Sequence, residues 1–459
     1  MSQRSNKQIL EGYVCLYWGD SGKGKLVDEA VERAREQNDG KKIIVARFQG
    51  GPNAGHSMWI RNTAGELVSF VSHAAPSGLA NGADIAIGPS VAYDPEKFLR
   101  ELKEARDLFG YDGRVMISER TGVLLDYHRK IDAWREGLRV KQIGTTKSGI
   151  GPFYEDNARR DTRITFADYV SDNFPEKLRL VLDLKQLELS ELSKAGILTP
   201  NYLEELVAIH EPIRRELRPF AERLEYRMQE YLEQGNHIIL EGAQGTGLHV
   251  DLGTIDDVTS SHLLMPEGLA SLGLPRRAFK IVGVEKIYPT RVGNGVMPTL
   301  DSELEEMGEN AGEYGATTRR RRREGWPDFV FARRSVFLND CDSIALTRAD
   351  CLQDRDVKVC IAYLVNDTLT EEVPLYLNEV KPVYAEQTFR WHLWDGPRDV
   401  SDPKIVDAEL QEKRAGYVRE GFKGLPLGLQ SFVKVHNVFV GVPINQISIG
   451  PARGETVER

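Results

Sequence analysis

Residues 12–34, GYVCLYWGDSGKGKLVDEAVERA, decide the fold of this 459-residue chain. The apolar run at 12–18 predicts a buried strand, and a turn rich in glycine and lysine follows at 19–25. From Leu26 onward, apolar residues recur at helical spacing. A strand, an anion-binding turn and a helix in succession are typical of α/β proteins that bind phosphate groups.

The rest of the chain repeats this alternation of short apolar runs and helical patterns. It predicts an α/β fold with a large, mainly parallel central sheet and a P-loop-like nucleotide site. We expect one domain over 1–459, with a charged helical insertion at 175–234. The stretch at 391–403 predicts an irregular surface excursion. Strands are predicted at 12–18, 42–48, 84–88, 114–118, 237–240, 279–286, 343–346 and 357–364, and a helix at about 95–108.

The overall composition argues against several classes of protein. A formal net charge of -9 does not favour binding to nucleic acid or to an anionic membrane surface. Four cysteines without a CxxC pair predict buried free thiols in a reducing compartment. With no long apolar stretch and no apolar signal region, we expect a cytoplasmic protein.

The turn after the first strand departs from an ordinary P-loop. Its lysines can neutralise phosphate oxygens, but Leu26 stands where such loops place the Ser or Thr that binds magnesium. Asp20 is the candidate for the missing oxygen ligand, because Mg²⁺ prefers carboxylate and phosphate oxygens. The alternative interpretation is a tight surface turn without a ligand.

A second glycine-rich loop, GGPNAGH at 50–56, follows the second strand and ends in a histidine. Small residues let the backbone approach a ligand closely. His56 could therefore act as a general acid near neutral pH. Taken alone, His56 would be interpreted as a structural residue, and its position at a strand end favours function.

Three further loops carry polar groups suited to a nucleotide. Gln244 could read a base edge with its amide or belong to a solvated turn, and the hydroxyls at 258–261 could bind phosphate or cap a helix. Five consecutive arginines at 319–323 favour a loop that clamps several anions, with nucleic-acid binding as the alternative. Asp350 follows a strand, and its carboxylate could accept hydrogen bonds from guanine N1 and N2; a surface aspartate is the alternative interpretation.

Together these loops resemble the adenylosuccinate synthetase family. The motifs occur in family order and span nearly the whole chain. They are WGDSGKGK (18–25), GGPNAGH (50–56), IGTTKSGIGPFYED (143–156), EGAQGT (241–246), VTSS (258–261), TRVGNG (290–295), GATTRRRRREGW (315–326), TRAD (347–350) and SIGP (448–451).

The resemblance implies GTP-dependent ligation of L-aspartate to IMP through a 6-phosphoryl intermediate, with Mg²⁺, in a homodimer with shared sites. Asp20 and His56 would be catalytic, and Asp20 and Gly55 would hold the metal. Implied IMP contacts are Asp20, Lys23, Asn53, Ala54, Gly55, His56, Thr146, Arg159 (from the neighbouring subunit), Gln244, Thr259 and Arg321. The aspartate contacts would be Thr317, Thr318 and Arg320. Implied GTP contacts are Gly19, Asp20, Ser21, Gly22, Lys23, Gly24, Lys25, Arg323, Arg348, Ala349, Asp350, Ser448, Ile449 and Gly450.

The chain also departs from the family pattern, which keeps two alternatives open. Ser21 replaces a glutamate beside Asp20; other departures are Pro52, Ser148, Arg319 and Arg348. A related branch, 2-aminoadenylosuccinate synthetase, joins aspartate to dGMP and replaces the aspartate that this chain keeps as Asp20. IMP therefore ranks ahead of (d)GMP as the acceptor. A non-catalytic nucleotide-binding protein is the second alternative, although it would need neither Asp20 nor His56.

Overall fold

The computed structural model describes residues 8–140, 145–310, 313–314, 320–395 and 403–459. Its main sheet has eleven strands and is parallel except for one pair of strands at its edge. The other strands of the described residues form three smaller sheets. The strands are β1 (Leu10–Cys15), β2 (Ile43–Gly50), β3 (His56–Arg61), β4 (Leu67–Ser72), β5 (Asp84–Tyr93), β6 (Val115–Ser118), β7 (Gly122–Val123), β8 (Ala221–Glu222), β9 (His237–Glu241), β10 (Lys280–Lys286), β11 (Thr290–Arg291), β12 (Arg323–Glu324), β13 (Ser343–Thr347), β14 (Cys360–Val365), β15 (Thr368–Thr370), β16 (Lys381–Tyr384), β17 (Ile444–Ser448) and β18 (Thr456–Glu458).

Helices cover both faces of this sheet, as expected when parallel strands are joined by helical crossovers. They are α1 (Lys23–Glu36), α2 (Pro95–Phe109), α3 (Asp126–Leu138), α4 (Ile150–Arg159), α5 (Phe166–Val170), α6 (Phe174–Leu184), α7 (Gln186–Lys194), α8 (Tyr202–Leu217), α9 (Leu224–Glu233), α10 (Met265–Ser271), α11 (Ser302–Asn310), α12 (Phe329–Asn339), α13 (Ala408–Glu420) and α14 (Leu427–Val440). The predicted α/β class and mainly parallel sheet are confirmed.

The order of the sheet is β18-β17-β13-β10-β1-β9-β2-β5-β6-β8, with β7 attached to β5. β1 lies between β9 and β10 and pairs with both in parallel. The carboxyl ends of β1, β2, β9, β13 and β17 therefore meet at one edge, where α/β sheets bind ligands. Each of the glycine-rich loops that follow these strands reaches that edge.

Local sequence explains why the first two crossover helices begin where they do. Gly22 precedes α1 with a φ of 81°, a left-handed conformation that glycine adopts without steric cost. Leu26, Val27, Ala30 and Val31 then bury one face of α1 against the sheet. At α2, the Asp94 carboxylate accepts the backbone N–H of Lys97 and caps the helix.

The segment predicted as a helical insertion, 175–234, consists mostly of α6, α7, α8 and α9. It also contains the short strand β8, which pairs with β6 at one edge of the main sheet and was not predicted. Apolar residues of α5, α6 and α8 join a core cluster with β5, β6 and α2. The division of the chain into one domain with an insertion stays a prediction.

Two expectations about the carboxyl-terminal half were only partly correct. The strand predicted at 357–364 is β14, which lies outside the main sheet in a three-stranded antiparallel sheet with β15 and β16. The predicted surface excursion at 391–403 begins with Trp391 and Trp394, both of which are buried. Residues 396–402 lie outside the described part of the chain.

All four cysteines are buried and free, as predicted. Across the residues that the structure describes, no helix combines the length and apolar character needed to cross a bilayer.

Candidate functional site

The turn after β1 curls into a cradle at the start of α1. Gly19 and Gly22 have φ angles of 103° and 81°, and Asp20 also adopts a left-handed φ of 51°. This backbone path turns successive amides toward one point and adds the partial positive charge of the helix end. The turn borders a cavity of about 380 Å³, together with residues from β3, β4 and the loops after β13 and β17.

The two lysines of this turn are held by different loops. Lys25 Nζ donates to Ser448 Oγ at 2.7 Å and to the Gly450 carbonyl at 2.8 Å. Lys23 Nζ donates to the Gln244 carbonyl at 2.8 Å, and burial lowers its pKa. The structure thus brings together residues from three of the predicted GTP and IMP loops, which lie far apart in sequence.

His56 lies beside this turn with its ring buried against a carboxylate. A β-carbon at Gly24 would lie 3.2 Å from His56 Cβ, so the two backbones approach closely. His56 Nδ1 pairs with Glu241 Oε1, and the same carboxylate accepts the backbone N–H and the hydroxyl of Ser77. Burial lowers the pKa of His56, and Glu241 opposes that effect. Although burial acts in the opposite direction, His56, Arg47 and Ser77 lower the pKa of Glu241 to about 2.

The hydrogen bond between His56 and Glu241 determines which ring nitrogen of His56 can act on a ligand. An ionised Glu241 accepts only, so Nδ1 carries the proton in that hydrogen bond. Nε2 is then the atom that can exchange a proton or donate to a phosphate oxygen. His56 also lines the cavity.

Asp20, on the same turn, is held by two cations. Its Oδ2 lies 2.9 Å from Lys286 Nζ and 2.8 Å from Arg322 Nη1. Lys286 ends β10, and Arg322 belongs to the arginine run. These contacts hold Asp20 at the cavity.

A buried carboxylate, Glu313, organises these cations. Lys286 Nζ lies 3.0 Å from both of its oxygens, Tyr288 OH donates at 2.8 Å and Arg348 Nη2 lies 2.9 Å away. Arg322 also pairs with Glu313. These cations hold the pKa of Glu313 well below its usual range despite burial. The arginine run, the Arg348 loop and the Asp20 turn are therefore joined through one side chain.

Two other predicted purine contacts, Gln244 and Asn53, meet beside Gly19 of the same turn. Gln244 Nε2 donates to Asn53 Oδ1 at 2.9 Å, which joins the loops after β9 and β2. Gln244 also has a left-handed φ of 49°, and a β-carbon at Gly19 would lie 3.4 Å from its Cα. The structure therefore places these two predicted IMP residues next to the Asp20 turn. Ala54 and Gly55 complete the same loop.

Several predicted residues lie elsewhere or outside the described chain. Thr317 and Thr318 are not among the described residues, and Arg320 donates to the Thr145 carbonyl at 3.4 Å. Among the described residues, Arg322 lines the cavity. Arg321 does not line it, and its guanidinium donates to the Glu305 carbonyl. The other predicted positions found away from that lining are Gly19, Asn53, Ala54 and Gln244; Thr146, paired with Ser148; Arg159, paired with Asp161; Thr259, bonded to the Leu248 carbonyl; Arg323, bonded to the Gly295 carbonyl; and the buried Ala349, Asp350 and Ile449.

The residues expected to hold magnesium have suitable chemistry. A carboxylate and a backbone carbonyl are the hard oxygen ligands that Mg²⁺ takes alongside phosphate oxygens and water. In this structure the Asp20 carboxylate pairs with Lys286 and Arg322, so a metal ion would share this carboxylate with those side chains or replace them. Asp20 and Gly55 both border the cavity.

Glu324 leads to a prediction about stability. It is fully buried, and neither carboxylate oxygen has a hydrogen-bond partner within the described ranges. Burial and nearby Glu313 raise its pKa to about 8 from an ordinary 4.5. The folded protein therefore retains a proton that the unfolded chain releases, so stability falls as pH rises from about 4.5 to about 8.

We expect Glu324→Gln to raise the melting temperature by about 2 °C or more at pH 8.5 and to leave it nearly unchanged at pH 4.5. The amide keeps the shape of the protonated acid without a charge to bury. Melting curves across this range test it, with Glu409→Gln on the exposed face of α13 as the control. An equal gain at both pH values would contradict the assignment.

Four residues of the site were missed from sequence. Glu241 stood within a quoted motif, but only its neighbour Gln244 was considered. Lys286 ends a predicted strand, which was a usable signal, since strand ends gather at the ligand edge. Glu313 and Arg322 gave no signal of their own, because one glutamate in an acidic chain and one arginine among five cannot be distinguished by pattern.

Comparisons with known proteins agree with this arrangement. Residues 13–402 match the family model for adenylosuccinate synthetase. Adenylosuccinate synthetase of Geotalea uraniireducens (strain Rf4) is 35% identical over 453 residues, covering 96% of each chain. The enzyme of Geotalea daltonii is 34% identical over the same length and the same shares.

Solved structures point the same way. A fully ligated adenylosuccinate synthetase from Plasmodium falciparum superposes with a TM-score of 0.81 at 26% identity, covering 98% of this chain and 99% of that one. Succinoaminodeoxyadenylate synthetase of cyanophage S-2L, bound to dGMP and dATP, gives a TM-score of 0.59 at 17% identity, covering 98% and 95%, and shares the fold alone. The chain belongs to the adenylosuccinate synthetase family, a family of ligases in purine biosynthesis.

Proposed function

We propose that this enzyme joins L-aspartate to the 6-position of IMP at the expense of GTP, giving adenylosuccinate, GDP and phosphate. The observation that carries the proposal is a single cavity bordered by Asp20, His56 and the glycine-lysine turn. A carboxylate for the base, an imidazole for the phosphoryl group and a cradle for phosphates are the parts that this reaction needs.

In the first step, Asp20 accepts the proton from N1 of IMP, which makes O6 nucleophilic. O6 attacks the γ-phosphorus of GTP, and the bond to the β-phosphate oxygen breaks to release GDP. His56, held through Nδ1 by Glu241, presents Nε2 to the transferring phosphoryl group. Lys25 and the arginines neutralise negative charge, which is most of what phosphoryl transfer requires.

In the second step, the aspartate amine attacks C6, the C6–O6 bond breaks, and phosphate leaves with the former O6. The amine loses one proton as the C–N bond forms, and the departing phosphate can take it up. Asp20 and Gly55 would hold the Mg²⁺ that neutralises charge on the phosphates during the first step. Arg320, which reaches the Thr145 carbonyl, would bind a carboxylate of the amino acid with Thr317 and Thr318.

We further propose a homodimer in which Arg159 serves the partner's site. Arg159 ends α4 and pairs with Asp161 on the surface rather than lining the cavity of its own chain. A residue needed at the IMP phosphate would therefore come from a second copy. Sedimentation that gave the mass of one chain at working concentration would overturn this.

The acceptor nucleotide is tested with a panel of purine monophosphates. Purified enzyme receives GTP, L-aspartate and Mg²⁺ with IMP, GMP or dGMP, and the product is identified by mass. We expect adenylosuccinate from IMP and loss of turnover when the metal is chelated. Product from dGMP alone would reject IMP as the acceptor, and no product from any nucleotide would favour a non-catalytic nucleotide-binding protein.

One observation keeps (d)GMP as the second candidate. Ser21 follows Asp20, is buried, and has a hydroxyl with no hydrogen-bond partner among the residues that the structure describes. A small polar side chain beside the base could accommodate an extra amino group at purine C2. Retention of Asp20 favours IMP, because the related branch that uses dGMP replaces this aspartate.

A further inference from the structure

Helix α13 brings a buried arginine to the loops predicted to bind GTP. Arg414 is 1% exposed, and it lies C-terminal to the range that matches the family model. Its guanidinium carbon lies 5.1 Å from the ring centre of Trp394. A β-carbon at Gly450 would lie 2.8 Å from the same guanidinium carbon, so Arg414 packs directly on the loop after β17.

Two carboxylates flank this guanidinium. Arg414 Nη1 donates to Glu455 Oε1 at 2.9 Å, and Arg414 Nη2 lies 3.8 Å from Asp350 Oδ2. Asp350 is itself buried. The backbone next to Asp350 is also held, because Trp391 Nε1 donates to the Ala349 carbonyl at 2.9 Å. Residues 391–394 and α13 thus contact the loop after β13, which contains Ala349 and Asp350.

We propose that Arg414 is a positioning residue that holds the Asp350 carboxylate ionised and oriented to read the guanine of GTP. This inference rests on the proposed function and on the role predicted for Asp350 from the sequence, in which its carboxylate accepts hydrogen bonds from guanine N1 and N2. It assigns nucleobase selectivity partly to a side chain that touches no substrate. The contacts of Trp391 and Trp394 with Ala349 and Arg414 give residues 391–394 a role.

The physical reason is the cost of burying a negative charge. Guanine is neutral, so it offers hydrogen bonds to Asp350 but no counter-charge. A buried carboxylate without a cation nearby is strongly disfavoured, whereas one close to a guanidinium is retained as an anion. Only the ionised form accepts through both oxygens, which the paired N1–H and N2–H donors of guanine require.

The test compares GTP with ITP as the phosphoryl donor, because hypoxanthine keeps N1–H but lacks the 2-amino group. We expect the wild type to prefer GTP and Asp350→Ala to lose that preference. Arg414→Met should raise KM for GTP roughly 10- to 100-fold, the loss expected for a hydrogen bond to a charged group, and should bring the GTP-to-ITP preference close to that of Asp350→Ala. KM for IMP and kcat at saturating GTP should change little. Arg414→Lys, which restores the charge, should recover much of the preference.

Arg214→Met is the matched control. Arg214 is also buried, and its guanidinium carbon lies 4.7 Å from the Phe174 ring centre, but it sits in the helical segment. It should lower thermal stability without changing the GTP-to-ITP preference. If Arg414→Met does not fold, Arg414→Gln, which can still donate to Glu455, replaces it in the same comparison.

The possible outcomes distinguish the role of Arg414 from the guanine-reading role of Asp350, on which it depends. A wild type without GTP preference, or an Asp350→Ala variant that keeps it, overturns the guanine-reading role of Asp350. If Asp350→Ala loses the preference while folded Arg414→Met keeps it, only the role of Arg414 fails. If Asp350 and Arg414 act as one unit, the double variant Asp350→Ala/Arg414→Met should lose no more of the GTP-to-ITP preference than either single variant.

Discussion

Replacing Asp20 with asparagine should abolish ligation, with kcat falling by roughly three orders of magnitude or more. The amide cannot accept the N1 proton and is a weaker magnesium ligand, so two proposed contributions are lost with one oxygen. Asparagine tolerates the left-handed φ of 51° found here, and its size is nearly unchanged. Formation of adenylosuccinate from saturating IMP, aspartate and GTP measures the effect.

The control for this variant is Asp340→Asn. Asp340 follows α12 with a φ of 53° and pairs with Arg276 at 2.8 Å, so it shares the backbone conformation and an ion pair but lies outside the site. We expect it to keep near-normal activity. If Asp20→Asn retained more than a tenth of wild-type turnover, Asp20 could not be the base.

Replacing His56 with asparagine should lower kcat by about 100- to 10,000-fold, the usual range for a proton-transfer residue. Asparagine can still reach Glu241, so the buried carboxylate is not left without a donor. It cannot present a titratable nitrogen to the phosphoryl group. KM for aspartate should change much less than kcat, because the role proposed for His56 is at the transferring phosphoryl group and not at the amino acid.

Glu241→Gln distinguishes a catalytic role of the His56–Glu241 pair from a purely structural one. The Glu241 carboxylate raises the pKa of His56, which burial lowers. Its removal should lower that pKa further, and activity that requires the imidazolium should then fall at a lower pH than in the wild type. A purely structural role would reduce stability but leave the pH profile in place, and that result would contradict the proposed pairing.

Sequence patterns were most reliable where one local rule applied. Strands predicted at 84–88 and 237–240 correspond to β5 and β9, because continuous apolar runs of β-branched residues bury on both faces of a parallel sheet. The α2 boundary followed from Asp94 and Pro95. By contrast, β14 has the same apolar character, but pattern alone could not say which sheet it joins.

The site shows the same limit. The turn at 19–25 and the loop ending at His56 were recognisable because each needs glycine at defined positions. The partners of these residues were not, because Glu241 lies 185 positions from His56, and Lys286 lies 266 positions from Asp20. Charged residues are common, and only the fold selects which of them meet.

The sequence by itself determined the α/β class, the phosphate-binding turn and the family, because periodicity, glycine placement and ordered motifs are local properties of the chain. Tertiary structure alone decided that Glu313 binds Lys286, Arg322 and Arg348 beside Asp20. It also decided that Arg414 lies next to Asp350. These contacts join strand ends and helices that are distant in sequence. Their energies depend on burial and on the distance between charges, which exist only once the chain has folded.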